Sequence, residues 1–243
     1  MIRIDGIGKS FGEVRAVDSV SFTAPDGRIT GLLGPNGAGK STTLRMLYTV
    51  LQPDRGTAFV DGHDVREAPL GARRAMGVLP HGTGLYPRLT ARENIAYYGR
   101  LNGMRGPHLA RRVDLLVDML EIGEFVDRRA KGFSQGQRIK VALARAMVHD
   151  PRNVVLDEPT NGLDVMATRA LRELIRKLKA EGRCILFSSH VMQEVSALCD
   201  DIVIIAHGRV VAHGSPAELR ERAGEDDLEE VFVRAIMSAE GAP

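Results

Sequence analysis

Residues 29–47 read ITGLLGPNGAGKSTTLRML, and the reading of this stretch decides the fold. An apolar run, ITGLLG, has the form of a buried strand and leads into Gly34-Pro35-Asn36-Gly37-Ala38-Gly39-Lys40-Ser41. That octet fits G-x-x-x-x-G-K-[ST] at every fixed position, and a predicted helix, STTLRMLYTVL, follows it. Glycines at 34, 37 and 39 let the backbone wrap phosphates, while successive N–H groups and the helix N-terminus form an anion nest. Asn36 and Thr42 belong to the same cradle. Lys40 is placed to reach β- and γ-phosphates, and the Ser41 hydroxyl to ligate Mg²⁺. A glycine-rich turn with a chance lysine has no reason to stand between a buried strand and a helix. The stretch predicts nucleoside triphosphate binding, a property shared by GTPases, small-molecule kinases, helicases, DNA-repair ATPases and transporter motors.

Composition narrows the choice. The chain has 243 residues, enough for a substantial core, and 33 Lys and Arg against 31 Asp and Glu. A net charge of +2 argues against a nucleic-acid partner held by a dominant basic field. No apolar run approaches the roughly 20 residues that span a bilayer, and MIRIDGIGKSF lacks the apolar core of a secretory signal. Cys184 and Cys199 have no metal-ligand spacing and read as two reduced thiols of a cytosolic protein.

Around the phosphate loop, short Val- and Ile-rich runs alternate with helical patterns, which predicts an α/β class. IRIDGIGKSF and VDSVSFTAP read as strands leading to a turn at Asp26-Gly27; GTAFVDG, MGVLP, NVVLDEP, CILFSS and DIVIIAHGRVVAHG supply further strands. From about residue 85 to 150 the texture is helical only, so a helical insertion interrupts the core. After Asp164, the residues Ala167, Leu171, Leu174, Ile175 and Leu178 share one helical face, with Gly182 as terminator. Ser215-Pro216-Ala217-Glu218 has the form of a capping box opening a charged, peripheral C-terminal helix.

Two further strand ends carry chemistry. VVLDEP puts Asp157 in position to support Mg²⁺ from its outer shell, and Glu158 to polarise an attacking water as general base. ILFSSH ends with His190, which an α/β sheet delivers to the same crevice as Lys40 and Asp157, as a γ-phosphate contact.

The choice among nucleotide machines falls on residues 133–148, FSQGQRIKVALARAMV. Alone, they describe a Ser N-cap and an amphipathic helix. In order with the phosphate loop, the acidic strand, NGLD and SSH, they resemble the ATP-binding cassette (ABC) ATPases, whose usual signature here is L-S-G-G-Q. The resemblance runs from about residue 2 to 220. It implies a P-loop NTPase core (about 1–84 and 151–220) with an antiparallel β segment, an inserted helical subdomain (about 85–150), and a helical tail at 221–243. It also implies ATP and Mg²⁺ as ligands, Phe11 stacked on adenine, and Ser134 and Gly136 contacting the γ-phosphate of a second cassette. Asp164 would lie across the dimer interface, in a two-fold sandwich in which each copy completes the other's site. A membrane-spanning permease subunit is the implied partner, with the chain peripheral on the cytoplasmic face.

Phe133 and Gln135 depart from the usual Leu and Gly, with the Ser134 hydroxyl and Gly136 backbone retained. His81, in GVLPHGTGLYPRLT, stands where the family usually has a Gln that meets Mg²⁺ and water; it either retunes coupling from that position or simply faces solvent. Residues 84–103 would form part of the cleft for the permease, with Leu85, Tyr86, Leu89 and Ile95 as contacts or as local core. The segment from NGLD to Leu219 is similar to the cassettes of bacterial ABC-2-type exporters, the sodium-efflux type first and drug-efflux cassettes as the alternative. A soluble ABC ATPase of translation or DNA repair usually carries paired cassettes or a long coiled coil, neither of which is present here. A catalytically dead cassette is disfavoured by Lys40, Asp157, Glu158 and His190 together.

Overall fold

The computed structural model describes residues 1–240, so residues 241–243 of the expected tail lie outside the described residues. Strand β1 (Ile2–Phe11) turns back as β2 (Val14–Ala24), and β3 (Ile29–Leu33) carries the chain into the phosphate loop and α1 (Lys40–Leu47). Next come β4 (Arg55–Val60), β5 (His63–Asp64), α2 (Pro69–Ala75) and β6 (Met76–Leu79). Three helices follow without an intervening strand: α3 (Ala91–Leu101), α4 (Gly106–Met119) and α5 (Gln135–Met147). Then β7 (Asn153–Asp157), α6 (Val165–Ala180), β8 (Cys184–Ser189), α7 (Met192–Leu198), β9 (Asp201–Ala206) and β10 (Arg209–Gly214) alternate, and α8 (Pro216–Ala223) and α9 (Leu228–Glu240) close the chain.

The strands form two sheets. One is antiparallel in the order β2-β1-β4-β5; the other has the order β10-β9-β3-β8-β7-β6 and is parallel apart from β10. The parallel strands are buried on both faces, as their continuous apolar runs require. Alternation divides them between two cores: Val155 and Leu186 face the layer shared with the antiparallel sheet and α1, whereas Val154, Leu156, Ile185 and Phe187 face the helical layer. Register then aligns the strand ends. Leu33 pairs with Ser189, and Asp157 with Ser188, so whatever follows β3, β7 and β8 emerges at one level of the sheet. That edge is the ligand crevice of an open parallel sheet.

Local chemistry sets the element ends. Ser134, Thr90 and Ser215 each form a capping box, with Gln137, Glu93 and Glu218 respectively. Buried Asn94 pins the segment before α3: its Oδ1 accepts from Tyr86 N at 2.8 Å and its Nδ2 donates to Thr90 O at 2.8 Å. Ile95 belongs to the core, whereas Tyr86 is exposed and Leu85 only partly covered. Helix α1 is shorter than the sequence suggested. It stops at Leu47 rather than running to Leu51, because the N–H groups of Tyr48, Thr49 and Val50 close back on Leu44, Met46 and Arg45 while Thr49 turns left-handed at φ 64°. The helix opened by Ser215 is α8, which lies at the surface with Leu219 as its buried residue, and a separate helix follows it, α9, whose Leu228 and Val231 pack on the core. Both cysteines are free and buried, and burial raises the Cys184 thiol to about 12. Among the described residues no helix is long and apolar enough to cross a membrane.

The two sheets are braced beside the phosphate loop. Asp18 N donates to Gly208 O at 2.7 Å, and Gly208 N to Ala38 O at 3.0 Å. The Asp18 carboxylate, one-tenth exposed, takes Arg209 of β10 at 2.7 Å and Arg55 of β4 at 2.7 Å, with Arg15 at 3.3 Å. Hydrogen bonds from Arg209 and then Arg55 hold its pKa down to about 2. A depressed carboxylate contributes stability above its unfolded pKa of about 3.9 and loses it as pH falls toward the folded value. Asp18→Asn is therefore expected to be less stable to urea by a constant margin above about pH 5, the margin narrowing as pH drops through about 4 toward 2. A margin that does not change with pH would count against this brace.

Candidate functional site

Strand β3 ends at Leu33, and Gly34 follows in contact with the end of β9. A Cβ at Gly34 would stand 2.3 Å from Ile205 O, so only glycine lets the loop start there. Gly39 is the second constrained position: it caps α1 at φ 105°, a left-handed conformation open to glycine. The loop curls over the start of α1 and presents Lys40, whose side chain is 6% exposed. Its ammonium donates to Gly34 O at 2.7 Å and Pro35 O at 3.1 Å, and lies 3.6 Å from Glu158 Oε1. A buried cation of this kind is tolerable only with such partners.

Asp157 closes β7. Its Oδ1 accepts from Ser188 Oγ at 2.7 Å and from Ser41 Oγ at 3.2 Å. Its Oδ2 is buried with no hydrogen-bond partner among the described residues. An orphaned carboxylate oxygen beside the Ser41 hydroxyl is a donor set suited to a hard divalent cation such as Mg²⁺. Glu158, 8% exposed at its side chain, sits in left-handed backbone at φ 51°, a strain of about 1–3 kcal/mol for a non-glycine residue. Ser188 holds that conformation by accepting from Glu158 N at 3.0 Å. His190, just past β8, bonds Glu158 Oε2 through Nδ1 at 2.8 Å. A carboxylate can only accept, so Nδ1 carries the hydrogen and Nε2 is left facing away from Glu158.

Lys40, Ser41, Glu158 and His190 line one polar cavity of about 540 Å³, and Asp157 lies behind Ser41. The phosphate loop from Asn36 to Ser41 and Thr42 line one side, and Glu158, Asn161 and His190 the other. His81, two residues past β6, lines it too while remaining exposed. The structure thus brings Lys40, Ser41, Thr42, Glu158, His190 and His81 to one crevice, with Asp157 buried next to it against Ser41. A cavity with a cation, an anion nest, a paired carboxylate–imidazole and a buried serine–aspartate pair can bind a polyphosphate and remove a proton from water beside it.

Ser134, Gly136 and Asp164 lie elsewhere. The Ser134 hydroxyl caps α5, accepting from Gln137 N at 3.2 Å, and Asp164 caps α6, accepting from Ala167 N at 2.8 Å. The two helix starts are neighbours: a Cβ on Gly136 would lie 3.7 Å from that of Ala167. Neither start lines the phosphate-loop cavity. Phe133 is buried edge-on against Phe125 at 5.3 Å, which accounts for an aromatic at that position. Phe11, half exposed at the end of β1, lies under Lys9 at 5.8 Å and does not line the cavity either.

A supporting network escaped the sequence reading. Glu194 on α7, 7% exposed, accepts from Thr160 Oγ1 at 2.7 Å and from Ser189 Oγ at 2.9 Å, tying the turn after Glu158 to the end of β8. Ala16, Arg45 and Asn161 also line the cavity unannounced. The one local signal was a pair of serines in an otherwise apolar strand.

With this geometry in hand, comparison with known proteins is specific. A family model described as ABC transporter matches residues 17–161. The chain is 44% identical over 225 residues to the ABC transporter ATP-binding protein NatA of Bacillus subtilis (strain 168), covering 92% of each. It is 39% identical over 227 residues to the daunorubicin/doxorubicin resistance ATP-binding protein DrrA of Streptomyces peucetius, covering 93% of this chain and 69% of that one. A solved structure of an ATP binding subunit of an ABC transporter superposes with a TM-score of 0.89 at 29% identity, over 97% of this chain and 99% of the other.

Ser188 is the test of the local geometry. Ser188→Ala removes one buried bond to Asp157 and one part-buried bond to the strained Glu158 amide. It is expected to lower stability by about 1–3 kcal/mol in urea denaturation. Unchanged stability would show that the Glu158 backbone holds its conformation without Ser188.

Proposed function

The chain belongs to the ABC transporter family and is an ATP-hydrolysing motor subunit, and on that premise we propose that it drives an exporter of the sodium-efflux type. The observation that carries the catalytic reading is the convergence of Lys40, Glu158 and His190 on one cavity behind the phosphate loop. The similarity to NatA supports the export class, which agrees with the resemblance of the C-terminal half to ABC-2-type cassettes.

In this proposal the loop amides from Gly37 to Ser41 and the Lys40 ammonium take the β- and γ-phosphates. Ser41 and Asp157 would hold Mg²⁺, which when bound offsets the negative charge of the phosphates. Glu158 accepts the proton of the attacking water as its oxygen approaches the γ-phosphorus, and ADP leaves on the opposite side. His190 fixes the Glu158 carboxylate through Nδ1–H and, with a second proton on Nε2, would donate to the γ-phosphate. Phe11, on the hairpin next to Ala16, stacks on the adenine. The left-handed backbone of Glu158 places its carboxylate over the loop instead of along the strand.

Ser134 and Gly136, turned away from their own cavity, serve the cavity of a second copy, and Asp164 lies in the seam between the two. The membrane-spanning subunit sits over α3 and the loop before it, and the assembly rests on the cytoplasmic face of the membrane. Closure of the pair on ATP and its release after hydrolysis would move that subunit.

Tagged Glu158→Gln protein tests this reading. It is expected to bind ATP near wild-type affinity and to hydrolyse it at least ~100-fold more slowly, the loss typical of a missing general base. Purified with ATP from gently solubilised cells, it should bring a multi-spanning membrane protein in stoichiometric amount. Wild-type turnover would remove Glu158 as the base; ribosomes or nucleic acid in place of a membrane protein would overturn the transport reading.

A further inference from the structure

Glu158 Oε2 and His190 Nδ1 meet at 2.8 Å, yet the two residues stand on separate segments, one just past β7 and the other just past β8. Glu158 is held on its own side, where its amide donates to Ser188 Oγ at 3.0 Å. His190 is the looser partner, with 45% of its side chain open to solvent against 8% for Glu158. An imidazole at a solvent edge keeps a fixed distance to a carboxylate only where its backbone is held by a second layer of bonds.

That layer comes from α7. Glu194 is 7% exposed, and one oxygen of its carboxylate, Oε2, accepts from Thr160 Oγ1 at 2.7 Å and from Ser189 Oγ at 2.9 Å. Thr160 stands two residues after Glu158, and Ser189 one residue before His190. The Ser189 hydroxyl accepts from the Val191 amide at 3.0 Å while its own proton goes to Glu194, so a closed turn spans His190. On the other side, Asn161 N donates to Glu158 O at 3.2 Å and Leu163 N to Thr160 O at 3.0 Å, which makes Thr160 part of the turn that leaves the base. Val195 and Leu198 of α7 are buried in the core, so Glu194 rides on a packed element. Its two partners are neutral hydroxyls, and a charged acceptor holds each more firmly than a neutral one.

Resting on the catalytic reading above, we propose that Glu194 is a positioning residue for ATP hydrolysis: through Thr160 and Ser189 it ties the segment of the general base to that of the imidazole, and so fixes the Glu158–His190 pair. Glu194 does not line the phosphate cavity and acts through two residues that do. With the tie cut, the His190 segment is free to swing toward solvent, where a neutral imidazole takes mainly the Nε2–H form, and Glu158 loses its partner at Oε2. A shift of about 1 Å at a reacting group can cost about 100-fold in rate. A glutamate that served stability alone would leave both the tautomer and kcat unmoved in every variant that folds.

The test uses the full chain with ¹⁵N-labelled imidazoles, free of nucleotide, at about pH 8, above the ordinary histidine range. Two-bond nitrogen–proton correlation reads which ring nitrogen is protonated, and His190→Ala identifies the His190 signals. Wild type is expected to show the Nδ1–H form at His190. Glu194→Ala is expected to replace it with the Nε2–H form and, in steady-state assays, to lower kcat at least about tenfold with KM for ATP within about twofold. Glu194→Gln, whose amide oxygen still accepts from both hydroxyls, is expected to keep the tautomer and at least about a third of kcat. Should Glu194→Ala fail to fold, Thr160→Val cuts the tie on the Glu158 side without changing the side chain's shape and is expected to lower kcat at least about threefold. An Nε2–H form in the wild type, a wild-type tautomer or kcat in Glu194→Ala, a wild-type kcat in Thr160→Val, or equal damage in Glu194→Gln and Glu194→Ala overturns the proposal. If Glu158→Gln hydrolyses ATP at the wild-type rate, the catalytic reading falls and the positioning role with it. If Glu158→Gln is slow while Glu194→Ala keeps the wild-type kcat, the positioning role falls alone.

Discussion

A buried ammonium beside a buried carboxylate is the constraint around which this molecule is arranged. Lys40 and Glu158 come from opposite ends of the sequence's core and are both almost closed to solvent. Two such groups persist at low exposure only where the backbone supplies further partners. The fold supplies them by register: parallel pairing puts Leu33, Asp157, Ser188 and Ser189 at the same height, so the phosphate loop and its carboxylates meet with no search among alternatives. The side facing the antiparallel sheet is fixed by the chain of amide bonds from Asp18 through Gly208 to Ala38. Strain at Glu158 is the local cost of aiming its carboxylate over the loop, and Ser188 offsets it.

Helix α5 relates this crevice to the rest of the surface. Its N-terminus, capped by Ser134, lies outside the phosphate cavity, and its third turn carries Arg145 to a separate cavity floored with cations. The loop after β6 is held in mid-course, by Arg145 at Gly84 and by Asn94 at Tyr86. A segment held at those points and lining the phosphate-loop cavity at His81 is tied to the helices α3 and α5 that hold it. That is a physical basis for passing force between a docked partner and the bound phosphates.

Much of this was legible in the sequence, and for identifiable reasons. The strands were readable because β3, β7 and β8 are buried on both faces and spell unbroken apolar runs. The site residues were readable because three of them, Asp157, Glu158 and His190, directly end such runs, and Lys40 sits in a loop whose spacing has few other uses. Helix α1 was read too long, since Tyr48-Thr49-Val50-Leu51 keeps a helical apolar pattern while the left-handed turn at Thr49 leaves no mark in composition. Glu194, Thr160 and Ser188 went unseen because their bonds join residues some thirty positions apart or lie across a strand pair, where no local period exists. Arg145 looked like one charge of an amphipathic helix; only the folded molecule places it in the interior without a carboxylate.

The central claim is that the phosphate cavity is one half of a site finished by Ser134 and Gly136 of another copy. Light scattering on purified Glu158→Gln protein, with and without ATP and Mg²⁺, tests it most directly. The account predicts a monomer without nucleotide, twice that mass with ATP, and a monomer throughout when Ser134→Arg is added. A protein that binds ATP yet keeps one mass under all these conditions would contradict it.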